Sequence, residues 1–155
     1  MDLTHIDELG QAKMVDVGAK AETRRTAEAA ATLVMQKETL QKIKDASLKK
    51  GDALAAARIA GIMAAKRTFE LIPLCHSIPI ESVEIDFDDN GENELYIRSR
   101  LACSYKTGIE MEALTAVSVA ALTVYDMCKA IDRAMSIQNV RLVKKTGGKT
   151  DFYHA

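Results

Sequence analysis

Two side chains near the end of a long apolar segment, Asp126 and Lys129, have the types and the spacing needed for proton transfer. Residues three apart lie on one face of a helix, where a carboxylate can hold an ammonium group and change its pKa. A surface ion pair is the commoner explanation for such a pair. The adjacent residues are largely apolar, which favours partial burial and a shifted lysine pKa.

Two further acids, Glu110 and Glu112, fall in the first turn of the same predicted helix. The 14 residues from Glu112 to Asp126 correspond to about 21 Å along a helix and leave the two side chains only about 40° apart around it. They therefore face one way but are too distant for one compact site. If both contact substrate, the simplest hypothesis is that one active site takes Glu112 from one subunit and Asp126 from another, so that the enzyme is an obligate oligomer.

Another candidate, His76, follows Cys75 in a segment bracketed by Pro73 and Pro79. The prolines exclude a helix, and adjacent side chains on extended backbone point to opposite faces, which argues against shared metal binding. A loop histidine satisfied by the backbone and a ligand-binding histidine are both compatible with this pattern.

Basic residues supply candidates for base catalysis and for binding phosphate. Lys50 stands just before Gly51 and the helix-capping Asp52, and Lys66 ends the helix that follows. Solvated surface lysines are the ordinary explanation for both. A cation at the end of a helix also offsets the macrodipole or binds phosphate.

The segment 144–150 combines two glycines with three lysines and contains Gly-Lys-Thr. A P-loop needs an earlier glycine where this chain has Val143, and it needs a helix afterwards, so a P-loop is rejected. Backbone N–H groups and ammonium ions of such a segment can still fold over a triphosphate. A flexible basic tail is the alternative.

Hydrophobic periodicity predicts the elements that must position these residues. Their order is strand, two helices, β-hairpin, long helix and strand, which indicates an α+β fold with an antiparallel sheet and helices packed on one face, of the split β-α-β type. The predicted ranges are a strand over 26–35, helices over 37–46 and 53–66, a hairpin over 83–103, a helix over 109–135 and a strand over 137–143.

Length and composition limit the classes of function. The 155 residues suit one domain over 1–155, in which about the first 12 residues and the tail from about residue 145 are expected to be flexible. The net charge of −1 argues against a nucleic-acid partner.

The three cysteines are widely spaced, which suits a reducing compartment. The acidic N-terminus and the shortness of the apolar run 113–125 predict a cytoplasmic protein without a membrane span.

Several long blocks, in order and over nearly the whole chain, resemble the hallmark sequences of the MoaC family. They are Met-Val-Asp-Val from Met14, Lys-Gly-Asp from Lys50, Ala57 to Thr68, Leu-Ile-Pro-Leu-Cys-His from Leu71, Gly108 to Ala116, and Tyr-Asp-Met-Cys-Lys-Ala from Tyr125. The family resemblance implies a ferredoxin-like fold, in agreement with the predicted order of elements.

The resemblance also implies a reaction. The substrate would be 3′,8-cyclo-7,8-dihydroguanosine 5′-triphosphate, which rearranges to cyclic pyranopterin monophosphate and releases diphosphate. Lys50 and Lys129 match the lysines proposed as proton donor and acceptor, and Asp126 matches the carboxylate beside Lys129. Because Asp126 favours the charged ammonium of Lys129, Lys129 is the expected donor and Lys50 the expected base.

Substrate-binding residues follow from the same blocks. The resemblance implies substrate contacts by Leu74, Cys75, His76, Glu110, Met111 and Glu112, and the cations expected to hold the triphosphate are Arg25, Lys66 and Lys145. We expect neither a cofactor nor a metal-binding site in the protein, although magnesium can accompany the diphosphate. The resemblance implies a homo-oligomer, a hexamer built as a trimer of dimers.

Two other classes of function fit a small α+β domain. A ligand-binding regulatory module would hold a guanine nucleotide without releasing diphosphate. A structural oligomerisation domain would leave the set of Lys50, His76, Asp126 and Lys129 unexplained.

Overall fold

The computed structural model of the chain describes residues 3–154, which form one antiparallel sheet covered by helices on one face. The strands follow the order β2-β3-β1-β4-β5 across the sheet. The elements are β1 (Thr23–Val34), α1 (Lys37–Lys44), α2 (Ala53–Lys66), α3 (Thr68–Leu71), β2 (Ile80–Asp89), β3 (Glu94–Tyr105), α4 (Glu110–Cys128), β4 (Ser136–Thr146) and β5 (Phe152–Tyr153). The predicted α+β, ferredoxin-like class is confirmed.

The helices cover the sheet face on which β1 places Ala27, Ala29, Ala31 and Leu33. These residues alternate with half-buried ones, as the period of two in a strand requires. β1 pairs along its length with β3 and also pairs with β4, so it lies at the centre of the sheet. The small side chains on this strand leave room for α4 to lie directly against the sheet.

Helix α4 is the core of the helical layer. Eight of its residues are buried, and its small apolar side chains face α2 and the sheet. Within residues 3–154, α4 is also the single helix whose length and composition would suit a membrane span. Its apolar character is explained by this packing, because the helix lies against both α2 and the strands.

Helix α4 is shorter than predicted, which corrects the range 109–135. It ends at Cys128, and the N–H groups of Ile131 and Asp132 both donate to the Cys128 carbonyl oxygen at 3.0 and 3.1 Å. The helix ends here because of a contact with another part of the chain. The buried Asp132 carboxylate accepts hydrogen bonds from the backbone N–H of Gln36 and the hydroxyl of Thr39, so it caps the start of α1.

The end of the chain also differs from the predicted elements. β4 continues beyond Val143 to Thr146, and β5, which the sequence analysis missed, pairs with it through Lys144 and Lys145. The intervening Gly147 crosses the start of β1 so closely that a Cβ there would lie 1.9 Å from the Arg24 carbonyl oxygen. A glycine is required at this crossing. The short helix α3 was also not predicted.

Gly61 provides the test of how closely α2 and α4 must pack. Alanine has the higher helix propensity by about 1 kcal/mol, which alone would stabilise Gly61→Ala. A Cβ at this position would lie 2.9 Å from the backbone oxygen of Ala116 and 2.3 Å from the Ile85 side chain. We therefore expect Gly61→Ala to lower the free energy of unfolding by about 1–3 kcal/mol in chemical denaturation. An unchanged or raised value would show that the helices can separate at little cost.

Candidate functional site

The C-terminal end of α4 gathers the three residues predicted to be catalytic, and two of them, Lys50 and Lys129, line a first cleft there. The Lys129 ammonium lies 2.8 Å from one oxygen of the Asp126 carboxylate, and the Lys50 ammonium lies 3.3 Å from the other. Lys50 also donates a hydrogen bond to the backbone carbonyl of Asp126 at 3.1 Å. One carboxylate thus holds two ammonium groups, where the last carbonyl groups of the helix add negative potential.

Local structure explains how Lys50 reaches this position. Asp52 caps α2 by accepting a hydrogen bond from the Ala55 N–H at 3.0 Å, which fixes where the helix begins. Gly51 has φ of +102°, a left-handed conformation that favours glycine and turns the chain just before the cap. Because α2 packs antiparallel to α4, this turn delivers Lys50 to the far end of α4.

The electrostatics of this cluster correct one expectation. Asp126 and Lys129 are exposed rather than partly buried in the single chain. Hydrogen bonding and attraction to Asp126 raise the pKa of Lys129 above its ordinary value. Lys129 and then Lys50 lower the pKa of Asp126 in return. The predicted pairing of Asp126 with Lys129 is therefore present, and it favours the ammonium form of Lys129.

The opposite end of α4 forms a second cleft, of about 160 Å³. The segment between the two prolines and the first turn of α4 meet there. Together they bring into one cleft all six residues expected to contact substrate, namely Leu74, Cys75, His76, Glu110, Met111 and Glu112. Residues from two distant parts of the sequence thus share a cleft, and the exposed His5 from the N-terminal loop also lines it.

The position of His76 depends on a contact that the sequence did not indicate. Its Nε2 lies 2.7 Å from the carbonyl oxygen of Val15. A carbonyl oxygen only accepts, so Nε2 carries the hydrogen, and Nδ1 of the neutral ring is left as an acceptor. His76 is therefore satisfied by the backbone, as one of the two alternatives predicted, and it also lines the cleft, while ligand binding by this ring stays a prediction.

Glu112 is the most perturbed acid of this cleft. Its residue is 3% exposed, and burial raises its pKa to about 7, with a further contribution from the nearby Glu110 charge. The pKa of the Cys75 thiol is also raised, first by burial and then by the charges of Glu112 and Glu110. Near neutral pH, Glu112 therefore exists in both protonation states, which suits an acid that exchanges a proton.

The three cations expected to hold the triphosphate have different surroundings. Lys145 forms an ion pair with Glu110 beside the second cleft. Arg25 is 8% exposed, and its guanidinium donates to the backbone carbonyl groups of Tyr105 and Lys106, each at 3.1 Å. Lys66 is exposed at the end of α2 and lines neither cleft. Within one chain, Lys145 therefore lies beside the second cleft and Lys66 lies away from both clefts, and the binding of phosphate by these cations stays a prediction.

The first cleft contains residues that the sequence analysis did not select. Tyr125 and Arg133 line it together with Lys50, Lys129 and Ala130, and its volume is about 390 Å³. Arg133 follows Lys129 by four residues, a spacing that could have drawn attention to it. The described residues hold no group of three His, Cys, Asp or Glu side chains placed to bind a metal ion.

Comparison with known proteins places these residues in a family context. The MoaC family matches residues 14–148. A protein of Listeria monocytogenes serotype 4a is 54% identical over 99% of this chain and 96% of its own length, and it is named cyclic pyranopterin monophosphate synthase. Proteins with the same name in Heliobacterium modesticaldum and Chloroflexus aurantiacus are 54% and 56% identical, over 97% and 96% of this chain and 96% and 92% of their own lengths.

The buried Glu112 carboxyl predicts a pH dependence of stability. Its pKa in the folded chain, about 7, lies above the ordinary value of 4.5, so unfolding releases the proton over this interval. The free energy of unfolding should therefore fall as pH rises from 4.5 to about 7, by up to about 3 kcal/mol, and level off above that range. In denaturant titrations across pH, Glu112→Gln should not show this fall in the free energy of unfolding. Equal slopes for both proteins would contradict the assignment.

Proposed function

Since the chain belongs to the MoaC family, we propose that it catalyses the synthesis of cyclic pyranopterin monophosphate, the activity for which its relatives are named. This is a step of molybdenum cofactor biosynthesis. The substrate would be the cyclised dihydroguanosine triphosphate, and diphosphate would be the second product. The observation that carries the proposal is the cluster of Lys50, Asp126 and Lys129, which joins two of the family blocks at one end of α4.

The two lysines would divide the proton transfers. Asp126 keeps Lys129 in its charged form by a 2.8 Å contact, and this raises the pKa of the ammonium. A charged ammonium donates protons, so we assign Lys129 as the general acid, and we assign Lys50, whose contact with the Asp126 carboxylate is longer at 3.3 Å, as the general base. Asp126 contacts both and would hold them at a constant separation while protons move.

The second cleft would bind the substrate through the segment from Leu74 to His76 and the first turn of α4. Arg25, Lys66 and Lys145 remain the proposed partners of its triphosphate. Lys145 would then exchange its ion pair with Glu110 for a phosphate oxygen. No cofactor takes part in this proposal, and a magnesium ion would enter with the phosphates of the substrate.

The two clefts must cooperate although they lie at opposite ends of one helix. Glu112 and Asp126 are about 21 Å apart along α4, too far for one compact site in a single chain. A twofold contact centred near residue 119, midway between them, would place Glu112 of one subunit beside the partner's Asp126. We propose that each active site is composed in this way.

The surface available for that contact has the required character. On the solvent side of the helical layer, Ile59, Met63 and Leu122 are 58%, 47% and 56% exposed. Apolar side chains of this size are commonly covered by a partner subunit. Dimers of this kind would assemble further into the proposed hexamer, in the cytoplasm.

The direct test of the function is turnover. Purified protein is incubated with the cyclised dihydroguanosine triphosphate, and the pterin product is oxidised and measured by fluorescence. We expect product from the wild type and a loss of about 100-fold or more in kcat for Lys50→Ala and for Lys129→Ala. Lys49→Ala is the matched control, because Lys49 is an adjacent exposed lysine that lines neither cleft. Nucleotide binding without product in the wild type would instead indicate a regulatory module.

A mixing experiment tests the composite site. Lys129→Ala and Glu112→Gln each disable a different half of the composite site. In a dimer of one subunit of each variant, one site would combine the two unaltered halves and the other site would carry both substitutions. Equal mixing of the two inactive variants, with subunit exchange, should restore about a quarter of wild-type activity. As a control, mixing Lys129→Ala with Lys50→Ala should restore nothing, since both changes lie in the same half. Recovery in neither mixture would support a site within one chain.

A further inference from the structure

The cleft at the C-terminal end of α4 contains one cation, Arg133, that has no part in the proposed proton transfers. Lys50, Lys129 and Arg133 all line it, and Asp126 is the one carboxylate that contacts these lysines within residues 3–154. Even when Lys50 is neutral, as a general base must be, the cations Lys129 and Arg133 outnumber Asp126, which favours the binding of an anionic group. The volume of about 390 Å³ is large enough for a phosphate group beside both lysines.

The backbone on both sides of Arg133 is held in place. The preceding residue, Asp132, is 2% exposed and caps α1 through its contacts with Gln36 and Thr39. The carbonyl oxygen of Arg133 itself accepts a hydrogen bond from the Tyr125 hydroxyl at 3.0 Å. The fold thus fixes the point from which the Arg133 side chain enters the cleft, although the side chain itself is exposed.

The guanidinium of Arg133 is available for a ligand. Within residues 3–154 it makes no hydrogen bond or ion pair, whereas Lys50 and Lys129 both contact Asp126. A guanidinium can donate two parallel hydrogen bonds to one phosphate group, a geometry that an ammonium cannot match. The cleft therefore combines two proton-transfer groups with one donor suited to phosphate.

We infer that Arg133 binds a phosphate group of the nucleotide substrate in the cleft that it shares with Lys50 and Lys129. The inference deepens the proposed function and depends on it for the identity of the substrate. Phosphate bound here lies next to the general acid and the general base. The positive charge of Arg133 would also stabilise the negative charge that develops on departing diphosphate.

Calorimetric titration with inorganic pyrophosphate tests the subsite without turnover. We expect Arg133→Ala to weaken the Kd by about ten- to a hundredfold, because a hydrogen bond between charged groups is lost. Arg133→Lys keeps the charge but not the paired donors, so its Kd for pyrophosphate should lie between those of Arg133→Ala and the wild type. Arg141→Ala is the matched control, since Arg141 lines a separate groove on the uncovered face of the sheet.

Two outcomes of the titration overturn the subsite: pyrophosphate binding that is undetectable in the wild type, or a Kd for Arg133→Ala equal to that of Arg141→Ala. Steady-state kinetics with the cyclised nucleotide separate this inference from the proposed function. If the wild type forms pterin while Arg133→Ala leaves both Kd and KM unchanged, the subsite is wrong and the function stands. If no protein forms pterin but pyrophosphate binding depends on Arg133, the subsite stands and the function is wrong.

Discussion

The close contact between α2 and α4 is the constraint on which the rest of the structure depends. Gly61 of α2 faces Ala116 and Ala120 of α4, and the inner face of β1 beneath them is lined largely by alanine. Small side chains allow backbones to approach, and the resulting core has little free space in which a helix could shift. The two ends of α4 therefore have defined positions relative to β1 and to the turn that carries Lys50.

The two ends of α4 differ in charge and therefore suit different chemical roles. Its first turn carries Glu110 and Glu112, where the helix dipole favours negative charge, but burial outweighs that effect for Glu112 and raises its pKa to about 7. Its last turn presents carbonyl groups and Asp126, which together attract cations. One end thus offers an acid near its titration point, and the other offers two ammonium groups and a guanidinium. A composite site between subunits would bring these complementary halves together.

Much of this arrangement could be predicted from local sequence. Hydrophobic periodicity located β1 and the β2–β3 hairpin, and Asp52 marked the start of α2, because each signal acts over a few residues. Helical spacing likewise predicted the ion pair of Asp126 with Lys129. Within the second cleft, sequence blocks far apart along the chain were grouped by resemblance to a family, and the structure shows them side by side.

The sequence by itself therefore determined the order of elements and the pairs of residues that lie one helical turn apart. Only the tertiary structure decided where α4 ends, because the buried Asp132 forms hydrogen bonds with α1, 93 and 96 residues earlier in the chain. The same holds for the arrival of Lys50 at Asp126, a contact across 76 residues, and for the hydrogen bond between His76 and Val15. Local signals set backbone conformation, whereas these contacts depend on how α1, α2 and the strands pack around α4, and no short segment contains that information.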